Sequence, residues 1–486
     1  MNSSSEKFND RINPIVLKEM RQAVKGKFTS WTLMLILVIQ LTTIGSVLVF
    51  SEDIGKNFDI GQGLFMGLLG FLLFICLFLV PIFTGSRLSS EKSDNNVDLF
   101  FITTLKPSQI IWGKLFTALV VTLLFFTASL PFMTLTYLLR GLDLPTIFII
   151  LAFDFLVTAA SIQFCIFLAC LPGNLVSRIL RLLGAIIALF IVFEAATAGS
   201  FSMLYEGIGS TITTWHFWSR ALTAVSFIII GIGLLFALSV ALISPASANR
   251  IFGVRIYLLF TWLATGIIAS IWFFTTDNDY LRPWLILMII MFGVNMLASI
   301  CERQTLSQRV IRDIPKKLIL RIPAFLLYSG PAGGVILSML MLTATLVTYS
   351  LLSKTELSLP KAGSNSSEEL FLIAIGLALY ACCYALTSLD VKTIFFKKTV
   401  STRSTVIGIV AFLIVGSILP VIIGFLLRQN PWYELSPLWY IGNPLVLFLK
   451  KKIWVECFTF TSIWAIIVVS LSVPWFYRQI CSFKSA

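Results

Sequence analysis

The sequence is short of charge and of histidine. Of its 486 residues only 12% are Asp, Glu, Lys or Arg, about half the share found in an ordinary soluble domain. A single histidine, His216, leaves no material for a His-rich metal site and argues against a triad built on a His base. No GxxxxGK[ST] run is present, which excludes ATP hydrolysis through a P-loop in this chain. The eight cysteines show no CxxC spacing. Most of them (Cys76, Cys165, Cys170, Cys382, Cys383, Cys457) fall in apolar runs and read as small packing residues. The opening MNSSSEKFNDR is polar and mixed in charge, so no cleaved signal peptide is expected. Neither catalytic residues nor metal ligands are assigned.

Apolar residues are what the chain has in excess. Hydrophobic types make up 58% of it, with 42 Phe and 12 Trp, and the mean hydropathy is +0.94. A soluble fold of this length could not cover so much apolar surface. The expected class is therefore an all-α polytopic membrane protein. A bilayer core of about 30 Å takes roughly 20 apolar residues per helix. On that basis about twelve transmembrane helices are expected, at 31–50, 62–84, 115–139, 146–171, 179–199, 221–243, 256–275, 284–300, 323–352, 370–389, 404–427 and 453–476. Pro331 and the Gly333-Gly334 pair predict a kink or a short lead-in at the ninth. The apolar stretch 436–449 is too short to cross.

The net charge of +13 belongs to the loops rather than to a nucleic-acid surface. Most Lys and Arg fall on the side of the N-terminus, which places both termini in the cytoplasm; the misfit is Lys450-Lys451-Lys452. The chain divides near Ser244–Arg255. Residues 1–250 form one six-span domain and residues 251–486 an additional one. A faint echo links them: Glu91-Lys92 follows the second span and Glu302-Arg303 follows the eighth.

Two segments carry more than hydropathy. From Asn13 onward the chain reads NPIVLKEMRQAVKGKFTSW. Asn13 can cap a helix whose first residue is Pro14. Leu17, Met20, Val24, Phe28 and Trp31 recur at helical spacing, and Lys18, Arg21, Lys25 and Lys27 supply cationic heads. An amphipathic helix lying in the membrane interface and an ordinary basic flank both fit this pattern. The second segment, 85–114, holds an apolar helix over Val97–Leu105. Pro107 then breaks it, and Ser108 can cap the helix leading into the third span. Such a loop helix either passes force from a soluble partner into the bundle or merely packs beneath it.

These residues carry a resemblance. Asn13-Pro14 with Lys18-Glu19 and Arg21 resembles the "NP-x-x-x-KE-x-R" opening of permease subunits of type-2, exporter-class ATP-binding-cassette transporters. Glu91-Lys92, Val97–Phe101, Thr104-Leu105-Lys106-Pro107 and Gly113-Lys114 are similar, in order, to the loop of that family that meets its ATPase. Asn95-Asn96 stands where the family has Gly-Thr, and Asn tolerates a left-handed backbone nearly as well as Gly. The likeness covers residues 11–250 and extends more loosely into the second half through Glu302-Arg303 and Ala324–Gly334.

It implies an N-terminal elbow helix bearing Asn13, Pro14, Lys18, Glu19 and Arg21. It also implies a cytoplasmic coupling helix whose ATPase-coupling interface includes Glu91, Lys92, Asp98, Leu105, Lys106, Pro107 and Lys114. The function implied is an exporter permease in the plasma (inner) membrane, a homodimer or pseudo-dimer in contact with membrane lipid and not with nucleic acid. By this reading the chain is not an enzyme and holds no cofactor. ATP and Mg would be bound by a separate cytoplasmic P-loop ATPase. Short re-entrant helices are implied within 200–220, where Tyr205, Trp215, His216 and Trp218 cluster.

Three acids fall inside spans, where ionisable groups mark functional sites by default. Asp154 and Glu194 lie at a similar depth and are candidates for lining the pathway. Glu456 is four residues after Lys452 and suits an interfacial ion pair. Two alternatives remain open. One is a secondary transporter, although the loop after the second span lacks G-x-x-x-D-R. The other is a membrane-embedded transferase of lipid-linked donors, suggested by Glu52-Asp53.

Overall fold

The computed structural model describes residues 14–50, 58–93, 106–139, 142–205, 212–245, 247–275, 280–303, 305–353, 366–395, 408, 412–426, 441–449 and 454–484. Among them all regular structure is helical. Eleven helices among the described residues are long and apolar enough to cross a membrane, so the chain is a multi-pass membrane protein. The eleventh expected span, 404–427, falls partly outside the described residues. What is described there is a shorter apolar helical stretch, Phe412–Gly424. The chain separates into two compact units, Met1–Pro245 and Ala246–Ala486.

The first unit is built from α1 (Pro14–Lys25), α2 (Lys27–Phe50), α3 (Phe58–Phe74), α4 (Val80–Ser93), α5 (Pro107–Leu138), α6 (Leu144–Cys170), α7 (Leu175–Tyr205) and α8 (Trp215–Ile243). A π-helical turn, Ile75–Leu79, joins α3 to α4 within one span. Pro81 explains it: the ring has no N–H and crowds the preceding turn, and a widened turn absorbs both defects. Helix α6 packs against α4, α5, α7 and α8, while α5 collects α1, α2 and α3. Phe65, Leu69, Leu72, Phe125, Ile147 and Ile162 make a fully buried centre between them. Buried polar pairs join the helices of this apolar bundle: Ser200 on α7 donates to Asp154 on α6 at 3.1 Å, and the Gln163 amide donates to Ser239 on α8 at 3.2 Å. Interhelical bonds of this kind are worth roughly 0.6 kcal/mol each in a membrane.

The second unit contains α9 (Phe252–Thr275), α10 (Leu281–Ile300), α11 (Gln308–Arg312), α12 (Leu318–Leu327), α13 (Pro331–Ser353), α14 (Ser366–Phe395), α15 (Leu419–Leu426), α16 (Val446–Leu449) and α17 (Trp454–Ser482). Helix α10 lies between α9, α13 and α14. The expected ninth span, 323–352, is two helices: α12 ends at Leu327, and α13 begins at Pro331, a position where a missing N–H costs nothing. The Gly333-Gly334 pair starts α13 because nothing larger fits. A Cβ on Gly334 would lie 2.2 Å from Ser299 Oγ and 2.3 Å from Arg255 Nη2, and one on Gly333 would lie 2.0 Å from the Phe325 carbonyl oxygen. In the apolar stretch 436–449, the described part ends in the single helical turn of α16. There the Trp454 indole donates to the Leu447 carbonyl at 3.0 Å.

Candidate functional site

At one end of the first unit, charged side chains from three separate stretches of sequence meet. Helix α1 has Glu19 on the side turned to the bundle, where it is 7% exposed. Lys114, on the second turn of α5, is equally buried. Its ammonium lies 3.0 Å from Glu19 Oε1 and 2.7 Å from Glu91 Oε2, near the end of α4. Arg87, one turn before Glu91, approaches Glu19 at 3.8 Å and donates to Gln22 Oε1 at 2.8 Å. Under this cluster the rings of Phe28 and Phe83 stack with centroids 3.9 Å apart. Two cations, Lys114 and Arg87, stand against two carboxylates, Glu19 and Glu91, so no charge in the cluster is left uncompensated, the condition under which burying ions is tolerated. The arrangement fixes α1, the end of α4 and the start of α5 as one body.

The start of α5 differs from the sequence reading in one detail. Lys106, not Ser108, is the N-cap. Its backbone is extended, Pro107 takes the first helical position, and Gln109 Oε1 accepts the Lys106 N–H at 3.0 Å. Pro107 therefore opens α5 by supplying a preset φ where no N–H is needed. The N-terminal segment differs too: it is two helices, α1 ending at Lys25 and α2, which carries Phe28 and Trp31, beginning at Lys27. On α1 Val16 and Glu19 are buried and Val24 is 70% exposed, and on α2 Trp31 is 68% exposed. The side of α1 toward the bundle is chosen by the Glu19–Lys114 pair, and the apolar side chains left outside suit a lipid surface.

Of the remaining candidates, Lys18, Arg21 and Lys106 are exposed. Asn13, Asp98 and Leu105 lie outside the described residues, as does the expected helix over Val97–Leu105. Pro14 begins α1 and Lys92 lies in α4. Asp154 and Glu194 have different settings: Asp154 is 2% exposed and bonded to Ser200, whereas Glu194 is exposed on α7. Glu456 is exposed on the first turn of α17. The re-entrant helices implied within 200–220 have less room than expected. Helix α7 runs on to Tyr205 and α8 starts at Trp215, so His216 is an exposed residue of the α8 first turn whose carbonyl accepts from Arg220 at 3.3 Å.

Sequence reasoning passed over a second cluster, in the second unit. Hydropathy places Arg255 in the connecting segment, yet it lies in α9 and is fully buried. Its Nη2 is 2.7 Å from Glu302 Oε1 and 2.9 Å from the Gly330 carbonyl, and Nη1 donates to the carbonyls of Leu326 (3.0 Å) and Tyr328. Glu302 Oε2 accepts the Gly330 N–H at 2.7 Å. Asn249 Oδ1 receives both the backbone N–H and the hydroxyl of Ser329. Burial pushes the Glu302 carboxyl above its ordinary range, while Arg255 and the Gly330 N–H pull it back. The available signal was an Arg in the first turn of an apolar run, with an acid just past the next span. Compared with family models, curated proteins and solved structures, the chain matches none of them.

Proposed function

We propose that this chain is the permease subunit of an ATP-driven exporter, coupled to a separate cytoplasmic ATPase. The observation that carries the reading is the meeting of Glu19, Glu91 and Lys114. Each belongs to a different motif of the resemblance, the N-terminal KE, the EK after the second span and the GK at the start of the third. These motifs lie up to 95 positions apart, and their charged residues form one ion cluster. Chance likeness in three short strings gives no reason for such convergence. Mechanically, a push on the loop 94–105 acts on α4 and α5 together, and through Glu19 on α1 as well. A partner seated there moves three elements at once rather than bending a loop.

In this reading both termini and that loop are cytoplasmic, and the membrane is the plasma (inner) membrane. ATP and Mg belong to the partner, and the permease works as a homodimer or pseudo-dimer. Glu194 supports a polar pathway outside the first unit's own bundle. An acid exposed on a spanning helix is costly against lipid and is at ease against water or a second polar surface. Asp154, buried against Ser200, braces α6 to α7. With few charges inside the spans, a lipidic or amphipathic cargo fits the walls.

The test is purification of the full chain in nanodiscs, followed by mass spectrometry and an ATPase assay. A co-purifying P-loop ATPase, lost when Asp98 and Lys106 are both changed to Ala, is the expected result. A partner-free chain in several membrane mimetics would overturn the reading in favour of a secondary transporter or a transferase.

A further inference from the structure

Between the end of α4, the end of α6 and the start of α7 lies a groove of about 270 Å³. Its walls are apolar, from Ile82, Leu168 and Leu182, and its charged residues are Arg178 and Arg181. It sits at the same end of the first unit as Glu91 and Lys114, because α4 ends and α7 begins there. Among the described residues no carboxylate lies within ion-pair distance of either guanidinium. Two like charges one helical turn apart repel each other, and the position gains stability from an anion that bridges them.

The placement of Arg181 is built. Its Nη1 is held by the Pro172 carbonyl at 3.2 Å and by Ser177 Oγ at 2.9 Å. Gly173 leaves the space for it, since a Cβ there would lie 2.6 Å from Nη1 and 1.9 Å from Ser177 Oγ. Ser89 adds a hydroxyl to the groove. Ser86 lines it as well, but its proton is already given to the Phe83 carbonyl at 2.9 Å, so its oxygen serves only as an acceptor.

We propose that this groove binds an anionic phospholipid from the surrounding leaflet. The phosphate would be received by Arg178 and Arg181, and the first carbons of an acyl chain would run along Ile82, Leu168 and Leu182. Charge complementarity selects the headgroup: planar guanidinium forks match phosphate oxygens, and the apolar walls exclude a free anion as the preferred occupant. Phosphate diesters carried on hydrocarbon satisfy both halves of the groove at once. The inference holds whether or not the chain is an exporter, since it requires no ATPase.

The test uses the full chain in phosphatidylcholine nanodiscs doped with a photo-crosslinkable phosphatidylglycerol, with crosslinked peptides mapped by mass spectrometry. Label is expected on peptides containing 82–90 and 178–185. It should fall at least fivefold in R178Q/R181Q, fall less in R178K/R181K, which keeps the charge and loses the fork, and resist 10 mM inorganic phosphate. G173A, which keeps both charges but displaces Arg181, should lower the label as well. An unchanged melting temperature in the double Gln variant shows that the bundle is intact. If that variant unfolds, G173A and the phosphate competition decide the question. Equal labelling by a crosslinkable diacylglycerol, or label indifferent to both R178Q/R181Q and G173A, would overturn the proposal, and displacement by inorganic phosphate would make the ligand a free anion.

Discussion

In the first unit the acid closing the second span, Glu91, meets a side chain on the third, Lys114. In the second unit Glu302, just past α10, takes the backbone N–H of Gly330, one residue before α13 begins. Each cluster also draws in an element at or before the unit's first span. In one case this is Glu19 on α1, and in the other it is Arg255 on α9 with Asn249 beside it. The places joined correspond and the chemistry does not. The first unit uses side chains only, Lys114 between two carboxylates with Arg87 beside Glu19. The second leans on the backbone: Arg255 gathers three carbonyls, and a Gly-Gly pair lets α13 approach it. A tie to backbone groups passes through fewer rotatable bonds than one between two flexible side chains. The first cluster can therefore rearrange by side-chain rotation, whereas the second cannot change without shifting the start of α13.

Substitutions can break that contrast, and the largest effect is expected at Arg255. R255M leaves Glu302 and three carbonyls without their cation inside the bundle, at a cost of about 3–5 kcal/mol; the loss should appear as a fall in melting temperature or as failure to accumulate in the membrane. K114M comes next, near the lower end, about 3 kcal/mol, because Glu91 is one-third exposed and can turn to water. Equal losses in the two variants would remove the distinction between the units.

A third substitution, E302Q, sharpens the comparison. The amide still accepts from Gly330, Arg255 keeps its carbonyls, and no buried negative charge remains, so a loss of only about 1 kcal/mol is expected. Its pH signature has a definite sign. Burial raises the folded pKa of Glu302 above its ordinary 4.5. The group's contribution to stability is therefore complete below that value and declines as pH rises through the folded pKa. E302Q should flatten the dependence of melting temperature on pH above 4.5, and an unchanged slope would contradict the assignment.

An effect of similar size and opposite sign is expected at Gln40 on α2. It is fully buried, and among the described residues neither amide atom has a partner. Q40L should raise stability by about 1 kcal/mol, read as a higher melting temperature. No change would mean that the amide is already satisfied.

The spans were legible because twenty apolar residues in a row have one physical use. Glu19, Glu91 and Lys114 were each legible as motif residues. Their contact was not, since helical periodicity says which face a residue occupies and nothing about which helix lies 95 positions away. Arg255 was missed for a related reason: a hydropathy scan treats an Arg as the end of a span, whereas a buried carboxylate and carbonyl cage lets α9 begin before it. Spacing alone groups Val24 and Trp31 with Leu17 and Met20 on one apolar face, and it does not say whether protein or lipid covers that face. Near a membrane, lipid receives an apolar face as readily as protein does.

The widened turn at Ile75–Leu79 has a consequence at the far end of its helix. A π-helical turn amounts to one inserted residue, and each added residue rotates everything downstream by about 100°. Arg87 and Glu91 are downstream of it. Were the turn closed up by deleting a single residue, both would swing a quarter-turn and more away from Glu19 and Lys114. The phase of the second span, set in mid-membrane beside Pro81, thus decides which way its terminal charges point.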